Sequence, residues 1–159
     1  MHAKILTLDD TLAFIKTEKA LGRKTVFTNG CFDLLHRGHV EYLQFARAQG
    51  DLLIVGVNSD ESVRALKGPA RPLNSLEDRL LVLAALEAVT CVIPFHTLTP
   101  EPLVAALQPD IFVKGGDYTI DRLPEAQIVQ SYGGAVVLAP LIAGRSTTNM
   151  IDRMGAATS

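Results

Sequence analysis

The sequence predicts an α/β fold in which a five-stranded parallel sheet carries helices on both faces. Short apolar segments alternate with segments of helical periodicity along the whole chain, and this order is typical of a parallel sheet with right-handed crossovers. Segment 51–58, DLLIVGVN, is apolar without alternation, which indicates a strand that is buried on both faces. The carboxyl ends of such strands lie at one edge of the sheet, where α/β proteins bind ligands.

Local signals define the individual elements. Apolar residues recur at helical spacing over 8–20, Gly50 is a typical helix stop, and Ser59 or Asp60 is the expected cap of a short helix. Segment 67–74, KGPARPLN, is expected to be a loop because prolines and a glycine interrupt it. The predicted strands are 25–28, 51–58, 90–94, 110–113 and 135–139. The predicted helices are 8–20, 39–49, 59–66, 75–88, 100–107, 123–132 and 146–154.

Length and composition indicate one domain without nucleic acid or a membrane as a partner. The 159 residues are 48% apolar, enough for a sizeable core, and the net charge of −2 favours no anionic partner. We expect 1–22 to be an N-terminal helical extension of a core over 23–154. No apolar run approaches the roughly 20 residues that cross a bilayer, and no signal sequence is apparent, so we expect a cytoplasmic protein. Cys31 and Cys91 are expected to be free thiols.

Polar and glycine-containing segments follow four of the five predicted strands. They are 28–39, 58–60, 114–118 and 140–148. Because the carboxyl ends of parallel strands meet at one edge, these segments are expected to converge on one site.

The segment after the first strand, TNGCFDLLHRGH, gives the most specific signal. His36 and His39 lie three residues apart at a helix start, and Gly38 removes a side chain where an anion could approach. The helix N-terminus adds N–H groups and partial positive charge, so a polyphosphate would suit this point. The alternatives are capping histidines or a zinc site with Cys31, for which no fourth ligand is suitably spaced. The charge state of the two rings stays open.

Three cations follow in the loop and in the next helix. Lys67 is either a solvated lysine or a mobile arm that neutralises phosphate oxygens, and Arg71 lies in the same loop. Arg79 occupies the first turn of a helix, where the macrodipole disfavours a cation and thus slightly favours an anionic partner.

Segment 114–118, KGGDY, directly follows the fourth strand. Gly115 and Gly116 form either a plain turn or one that lets the backbone approach a ligand. Asp117 and Asp33 could orient a hydroxyl or hold Mg²⁺ through water, and Asp33 could instead cap the following helix.

Segment 144–148, GRSTT, precedes the last predicted helix. Ser146 is a plausible helix cap, and the hydroxyls of Ser146, Thr147 and Thr148 after Gly144 also suit a phosphate cradle. Neither a P-loop motif nor the G-x-G-x-x-G fingerprint is present in the sequence, which argues against a dinucleotide oxidoreductase.

With these residues in view, the chain resembles the HxGH-class nucleotidyltransferases of the cytidylyltransferase-like superfamily. The first signature is HRGH at 36–39 and the second is STT at 146–148. Within the class the chain is most similar to the adenylyltransferase domain of ADP-heptose synthesis. The segments that carry this likeness are TNGCFDLLHRGHVEYL, VNSDESVRALKGPARPLNSLEDR, VKGGDY and STTNMI. The resemblance covers roughly 23–154 and implies a single Rossmann-like domain.

The resemblance implies transfer of AMP from ATP to D-glycero-D-manno-heptose 1-phosphate, giving ADP-heptose and pyrophosphate for lipopolysaccharide or a surface glycan. Mg²⁺ would neutralise the pyrophosphate, a separate heptose kinase would supply the substrate, and a homodimer or higher oligomer is expected. Two alternatives stay open: a cytidylyltransferase acting on a small alcohol phosphate such as glycerol 3-phosphate, and a non-catalytic nucleotide-binding sensor.

The resemblance also implies roles for individual residues. His36 and His39 would meet the α- and β-phosphates, and Lys67 would bridge the sugar phosphate and the α-phosphate. The residues expected on the nucleotide side are Asn29, Gly30, Cys31, Phe32, Gly38, Arg79, Gly115, Gly144, Arg145, Ser146, Thr147 and Thr148. The residues expected on the sugar side are Asp33, Arg71, Lys114 and Asp117.

One stretch departs from the pattern of related glycerol-phosphate cytidylyltransferases. Those proteins carry Arg-Thr-Glu-Gly before STT, whereas this chain has Leu-Ile-Ala-Gly at 141–144, followed by Arg145. The contact made by the arginine of that Arg-Thr-Glu-Gly stretch is therefore not assigned to any residue of 141–144 in this chain. Arg145 is the candidate replacement.

Overall fold

Five parallel strands form one sheet in the computed structural model, which describes residues 2–116, 118–140 and 147–158. The strands are β1 Thr25–Gly30, β2 Leu52–Asn58, β3 Cys91–Phe95, β4 Ile111–Gly115 and β5 Ala135–Ala139. Their order is β3-β2-β1-β4-β5, so the chain moves outward from β1 to β3 and then returns to the other side of β1. That reversal creates a crevice between the strand ends beside β1.

The helices cover both faces of this sheet, and the predicted Rossmann-like α/β class is confirmed. Within the described residues they are α1 Leu8–Ala20, α2 Arg37–Arg47, α3 Asp60–Lys67, α4 Leu76–Ala84, α5 Glu101–Leu107, α6 Pro124–Ser131 and α7 Thr147–Thr158. The predicted bounds of the first helix and the fifth strand agree residue for residue. Helix α2 begins two residues earlier than expected because His36 caps it. Helix α4 ends at Ala84, four residues early, because the chain turns there toward β3.

Alternation along the strands divides the core into two layers. Val26 packs on one face with Leu43 of α2 and Leu83 of α4. Phe27 packs on the other face with residues of α1, α5 and α6, and its ring stacks on Phe112 at a centroid distance of 6.0 Å. Every residue of β2 is buried, as its continuous apolar pattern predicted.

Serine caps open the two helices that flank the loop at 68–75. Ser59 accepts a hydrogen bond from the N–H of Ser62 at 3.2 Å, and Ser75 accepts one from the N–H of Asp78 at 3.2 Å. These side chains satisfy N–H groups that a helix start leaves unpaired. Both helices therefore begin where the sequence predicted, with Ser59 rather than Asp60 as the cap.

The N-terminal segment pairs with the edge of the sheet at β3. The N–H of Leu6 donates to the carbonyl of Val92, and the N–H of Val92 donates to that of Lys4. Division of the chain into an extension over 1–22 and a core over 23–154 stays a prediction. Cys31 and Cys91 are free thiols, as expected. Among the residues described, no helix has the length and apolar character needed to cross a bilayer.

Candidate active site

A cavity of about 690 Å³ lies at the carboxyl ends of the strands, within the size range of small-molecule sites. It brings together most of the side chains that the sequence singled out. The predicted residues that line it are Asn29, Gly30, Cys31, Phe32, Asp33, His36, Gly38, His39, Lys67, Arg71, Lys114 and Gly115. The expected convergence of the segments after β1 and β4 is thus observed.

The two histidines cap α2 and at the same time line the cavity. The N–H of Gly38 donates to Nδ1 of His36 at 3.0 Å, and the N–H of His36 donates to Nδ1 of His39 at 3.3 Å. Because Nδ1 is an acceptor on both rings, each neutral ring carries its proton on Nε2. The ring centroids are 4.1 Å apart. Capping therefore orients two adjacent N–H donors, and the capping alternative is compatible with anion binding.

His39 is uncharged at neutral pH. Burial lowers the pKa of its imidazole from 6.5 to about 4, and the neighbouring His36 ring adds to that shift. The charge state that the sequence left open is thus decided for His39 by loss of hydration. A neutral ring can still donate a hydrogen bond to a phosphate oxygen.

Acid should therefore destabilise the protein through His39. The unfolded chain, with a pKa near 6.5, binds a proton that the folded protein does not bind until about pH 4. The contribution of the neutral His39 ring to the free energy of unfolding is complete above pH 6.5. It is lost as the pH falls from 6.5 to about 4. Urea unfolding between about pH 7 and about pH 4 should show a weaker pH dependence for His39→Gln than for the wild type. Equal pH dependence in the wild type and His39→Gln would exclude His39 as the cause.

Asp33 organises the loop that follows α3. Burial alone would raise the pKa of its carboxyl group, but the N–H groups of Asn74 and Leu73 and the guanidinium of Arg71 outweigh burial and lower it. The two N–H groups donate at 2.9 Å, and Arg71 Nε donates at 2.7 Å. Both carboxylate oxygens of Asp33 are thus engaged by this loop, and the direct sugar contact expected from the sequence stays a prediction. His36, and not Asp33, caps α2.

Arg79 lies behind the cavity wall rather than in the cavity. Its side chain is fully buried and donates to the carbonyls of Cys31, Asn58 and Asn74 and to Oδ1 of Asp60. The expected phosphate contact is thus replaced by a structural role, because these acceptors surround the guanidinium. The cation at a helix start, for which the sequence showed no partner, has its anionic partner in the first turn of α3.

Glycines at the site leave room for aromatic side chains. A Cβ on Gly30 would lie 2.9 Å from the ring of Phe32, and one on Gly115 would lie 2.9 Å from the ring of Tyr42. The hydroxyl of Tyr42 bonds Thr28 of β1 and donates to the carbonyl of Val113 in β4 at 3.1 Å. The sequence prediction missed Tyr42, which joins the two strands that flank the crevice.

The cationic side chains in the cavity differ in their surroundings. Lys67 is exposed at the end of α3 and makes no hydrogen bond or ion pair in the described part of the chain. Lys114 Nζ lies 5.5 Å from the ring centroid of Tyr118, a cation–π contact. Burial raises the pKa of the Cys31 thiol despite nearby Lys67 and Arg79, so the thiol is protonated and a poor nucleophile at neutral pH.

Four predicted residues lie outside the described residues: Asp117, Gly144, Arg145 and Ser146. Helix α7 begins at Thr147, and the phosphate cradle predicted over Ser146, Thr147 and Thr148 stays a prediction. Among the residues described, no three His, Cys, Asp or Glu side chains are grouped to hold a metal ion. Asn58, Gly116, Tyr118 and Pro140 also line the cavity and belong to the segments that were expected to converge there. The lining residues that the prediction missed are Tyr42, Leu66, Leu98, Thr99, Pro100 and Glu125.

The family model described as cytidylyltransferase-like matches residues 27–151. The chain belongs to the cytidylyltransferase-like family. This match contains both the histidine segment and the start of α7, and it implies that the protein uses a nucleoside triphosphate.

Curated relatives extend the likeness to nearly the whole chain. It is 54% identical over 152 residues to the Bifunctional protein HldE of Geotalea uraniireducens, covering 96% of this chain and 31% of that protein. It is 53% identical over 143 residues to the Bifunctional protein HldE of Alcanivorax borkumensis, covering 90% of this chain and 30% of that protein. The chain thus spans less than a third of the length of these relatives.

A solved structure has a similar fold. It is described as the lipopolysaccharide core biosynthesis protein from Thermoplasma volcanium. The two chains are 29% identical with a TM-score of 0.59, and the match covers 74% of this chain and 94% of the other.

Proposed function

We propose that the chain transfers AMP from ATP to D-glycero-D-manno-heptose 1-phosphate, giving ADP-heptose and pyrophosphate. The observation that carries the proposal is the capped histidine pair, whose rings line a cavity that Lys67 also lines. Similarity to HldE proteins over 96% of the chain supports the choice of sugar phosphate. The lipopolysaccharide description of the solved relative is consistent with it.

In the proposed reaction an oxygen of the sugar phosphate attacks the α-phosphorus of ATP. A bond forms between that oxygen and phosphorus, the bond to the β-phosphate oxygen breaks, and pyrophosphate leaves with the electron pair. The sugar phosphate is already ionised at neutral pH, so the reaction needs no strong general base. Positioning and stabilisation of negative charge provide the catalysis.

The chain's own residues would supply donors and positive charge. The Nε2–H groups of His36 and His39 would donate to phosphate oxygens whose negative charge grows in the transition state. Lys67 would hold two like-charged reactants together by neutralising oxygens of both. Mg²⁺, when bound, would neutralise the departing pyrophosphate.

A crossed-substrate assay tests the proposal directly. Pyrophosphate release would be measured with ATP or CTP, each paired with heptose 1-phosphate or glycerol 3-phosphate. We expect release with ATP and heptose 1-phosphate to exceed every other pairing. Preference for CTP with glycerol 3-phosphate would establish the second candidate, with which the family description is also consistent. Tight ATP binding without release in any pairing would indicate a nucleotide sensor.

Three further expectations stay predictions alongside this function. They concern a heptose kinase as the source of the acceptor, a homodimer or higher oligomer, and a cytoplasmic location. None of them enters the chemistry above, and the crossed assay can be read without them.

A further inference from the structure

Glu125 is a buried carboxyl side chain that the proposed chemistry does not use. It lies in the first turn of α6, is only 6% exposed and lines the cavity. Its Oε2 atom is buried and has no hydrogen-bond partner in the described part of the chain. Leaving a buried acceptor unpaired is costly, and native proteins keep few such atoms. A buried, unpaired acceptor on a residue that lines the cavity points to a ligand that supplies the missing donor.

Among the described residues, the cations near the cavity do not pair with this carboxyl group. Lys114 lines the same cavity, but its Nζ lies over the ring of Tyr118. The ion pair of Arg71 is with Asp33, and among the described residues no ion pair includes Glu125. A carboxyl oxygen accepts hydrogen bonds, and a hydroxyl group is a neutral donor that can supply one.

A second unpaired acceptor lies on the same side of the sheet. Oδ1 of Asn29 is buried without a hydrogen-bond partner in the described residues, and Asn29 also lines the cavity. A Cβ added to Gly56 would meet both the ring of Phe27 and Cβ of Asn29, which places Asn29 on the Phe27 face. Helix α6 packs on that face through Val129. Two acceptors from different elements thus face one side of the cavity.

The donors of the histidine pair come from the opposite face. Helix α2 packs through Leu43 against Val26, on the other side of the sheet from Phe27. One wall of the cavity therefore carries N–H donors suited to phosphate, and the other carries acceptors suited to hydroxyls. A sugar that bears a phosphate has both kinds of group.

We propose that Glu125, together with Asn29, accepts hydrogen bonds from the ring hydroxyls of a sugar in the cavity and thereby determines substrate specificity. The proposal rests on the proposed function. The hydroxyls can belong to the acceptor sugar phosphate or to the ribose of the nucleotide, and the test separates these two sources.

The test compares Glu125→Leu and Glu125→Gln with the wild type in steady-state pyrophosphate release. Loss of an acceptor for a substrate hydroxyl should raise one KM ~10- to 100-fold in Glu125→Leu, with kcat changed less than ~3-fold. Glu125→Gln keeps an acceptor oxygen, so its KM should rise less than that of Glu125→Leu. Because an unpaired buried group is removed, Glu125→Leu should unfold at the same temperature as the wild type or a higher one.

Glu77→Leu is the matched control. Glu77 occupies the second position of α4, as Glu125 does in α6, but it is exposed and lies outside the cavity. A raised KM for heptose 1-phosphate in Glu125→Leu assigns the carboxyl group to the acceptor sugar, and a raised KM for ATP assigns it to the ribose. Unchanged KM values for both substrates would overturn the proposal.

Titration calorimetry keeps this inference separate from the proposed function. A wild type that releases no pyrophosphate would refute the function, yet AMP and heptose 1-phosphate can still be titrated separately into the wild type and Glu125→Leu. Weaker binding of either ligand to Glu125→Leu supports the hydroxyl contact. Equal binding of both ligands, or a lower unfolding temperature with unaltered binding, shows a structural role and overturns it.

Discussion

His39→Ala is expected to lower kcat at least ~100-fold, about 2.7 kcal/mol of transition-state stabilisation. The substitution removes an Nε2–H donor that we assign to phosphate oxygens during transfer of AMP. It also removes the acceptor for the N–H of His36, at 3.3 Å, so a cost of about 1 kcal/mol in stability is expected. Steady-state pyrophosphate release and thermal unfolding measure the two effects separately.

Two further variants separate catalysis from capping. A glutamine at the third position of a helix can bond back to the N–H of the cap residue, so His39→Gln should recover the stability lost in His39→Ala without recovering the turnover. His96→Ala, at an exposed residue outside the cavity, should keep full turnover. A His39→Ala protein with more than a tenth of wild-type kcat would remove His39 from the proposed chemistry.

Arg79→Ala is expected to lower the free energy of unfolding by about 3 to 5 kcal/mol. The substitution leaves Asp60 without its cation and the carbonyls of Cys31, Asn58 and Asn74 without this donor. Removal of a fully buried side chain also opens a cavity, which adds to the loss. Urea unfolding at neutral pH would measure the effect.

Comparison with Arg79→Met distinguishes loss of packing from loss of hydrogen bonds. Methionine fills much of the arginine volume but leaves the same acceptors unpaired, so most of the destabilisation should remain. Arg64→Ala is the control, because that arginine is half-exposed in an i,i+3 pair with Glu61. This substitution should lower the free energy of unfolding by less than about 1 kcal/mol. A loss below about 1 kcal/mol in Arg79→Ala would contradict the structural role assigned to Arg79.

The sequence predicts the fold well because the relevant signals are local. The continuous apolar run at 51–58 and the helical spacing over 8–20 each depend on neighbours in the chain, and β2 and α1 form close to the predicted bounds. The histidine segment is local too, because one helix turn brings His36 and His39 together.

The errors at the site have a different origin, because they concern pairing between distant segments. Arg79 meets Asp60, 19 positions away, only because β2 and the loop before α4 come together. Asp33 meets the N–H groups of Leu73 and Asn74 only because the segment after β1 and the loop before α4 come together. Glu125 reaches the cavity only once α6 is placed on the sheet, and neither spacing nor periodicity reports that placement.

The ion pair between Asp33 and Arg71 also affects whether side-chain conformational entropy at the site is lost during folding or on ligand binding. The Arg71 side chain is only 12% exposed and is ion-paired with Asp33, so its conformational freedom is lost during folding. Lys67 is exposed, and immobilising a long side chain on binding costs roughly 0.5 to 1.5 kcal/mol. If a phosphate binds both cations, Arg71 is already ordered. Most of the entropic cost of ordering side chains on binding would then come from Lys67.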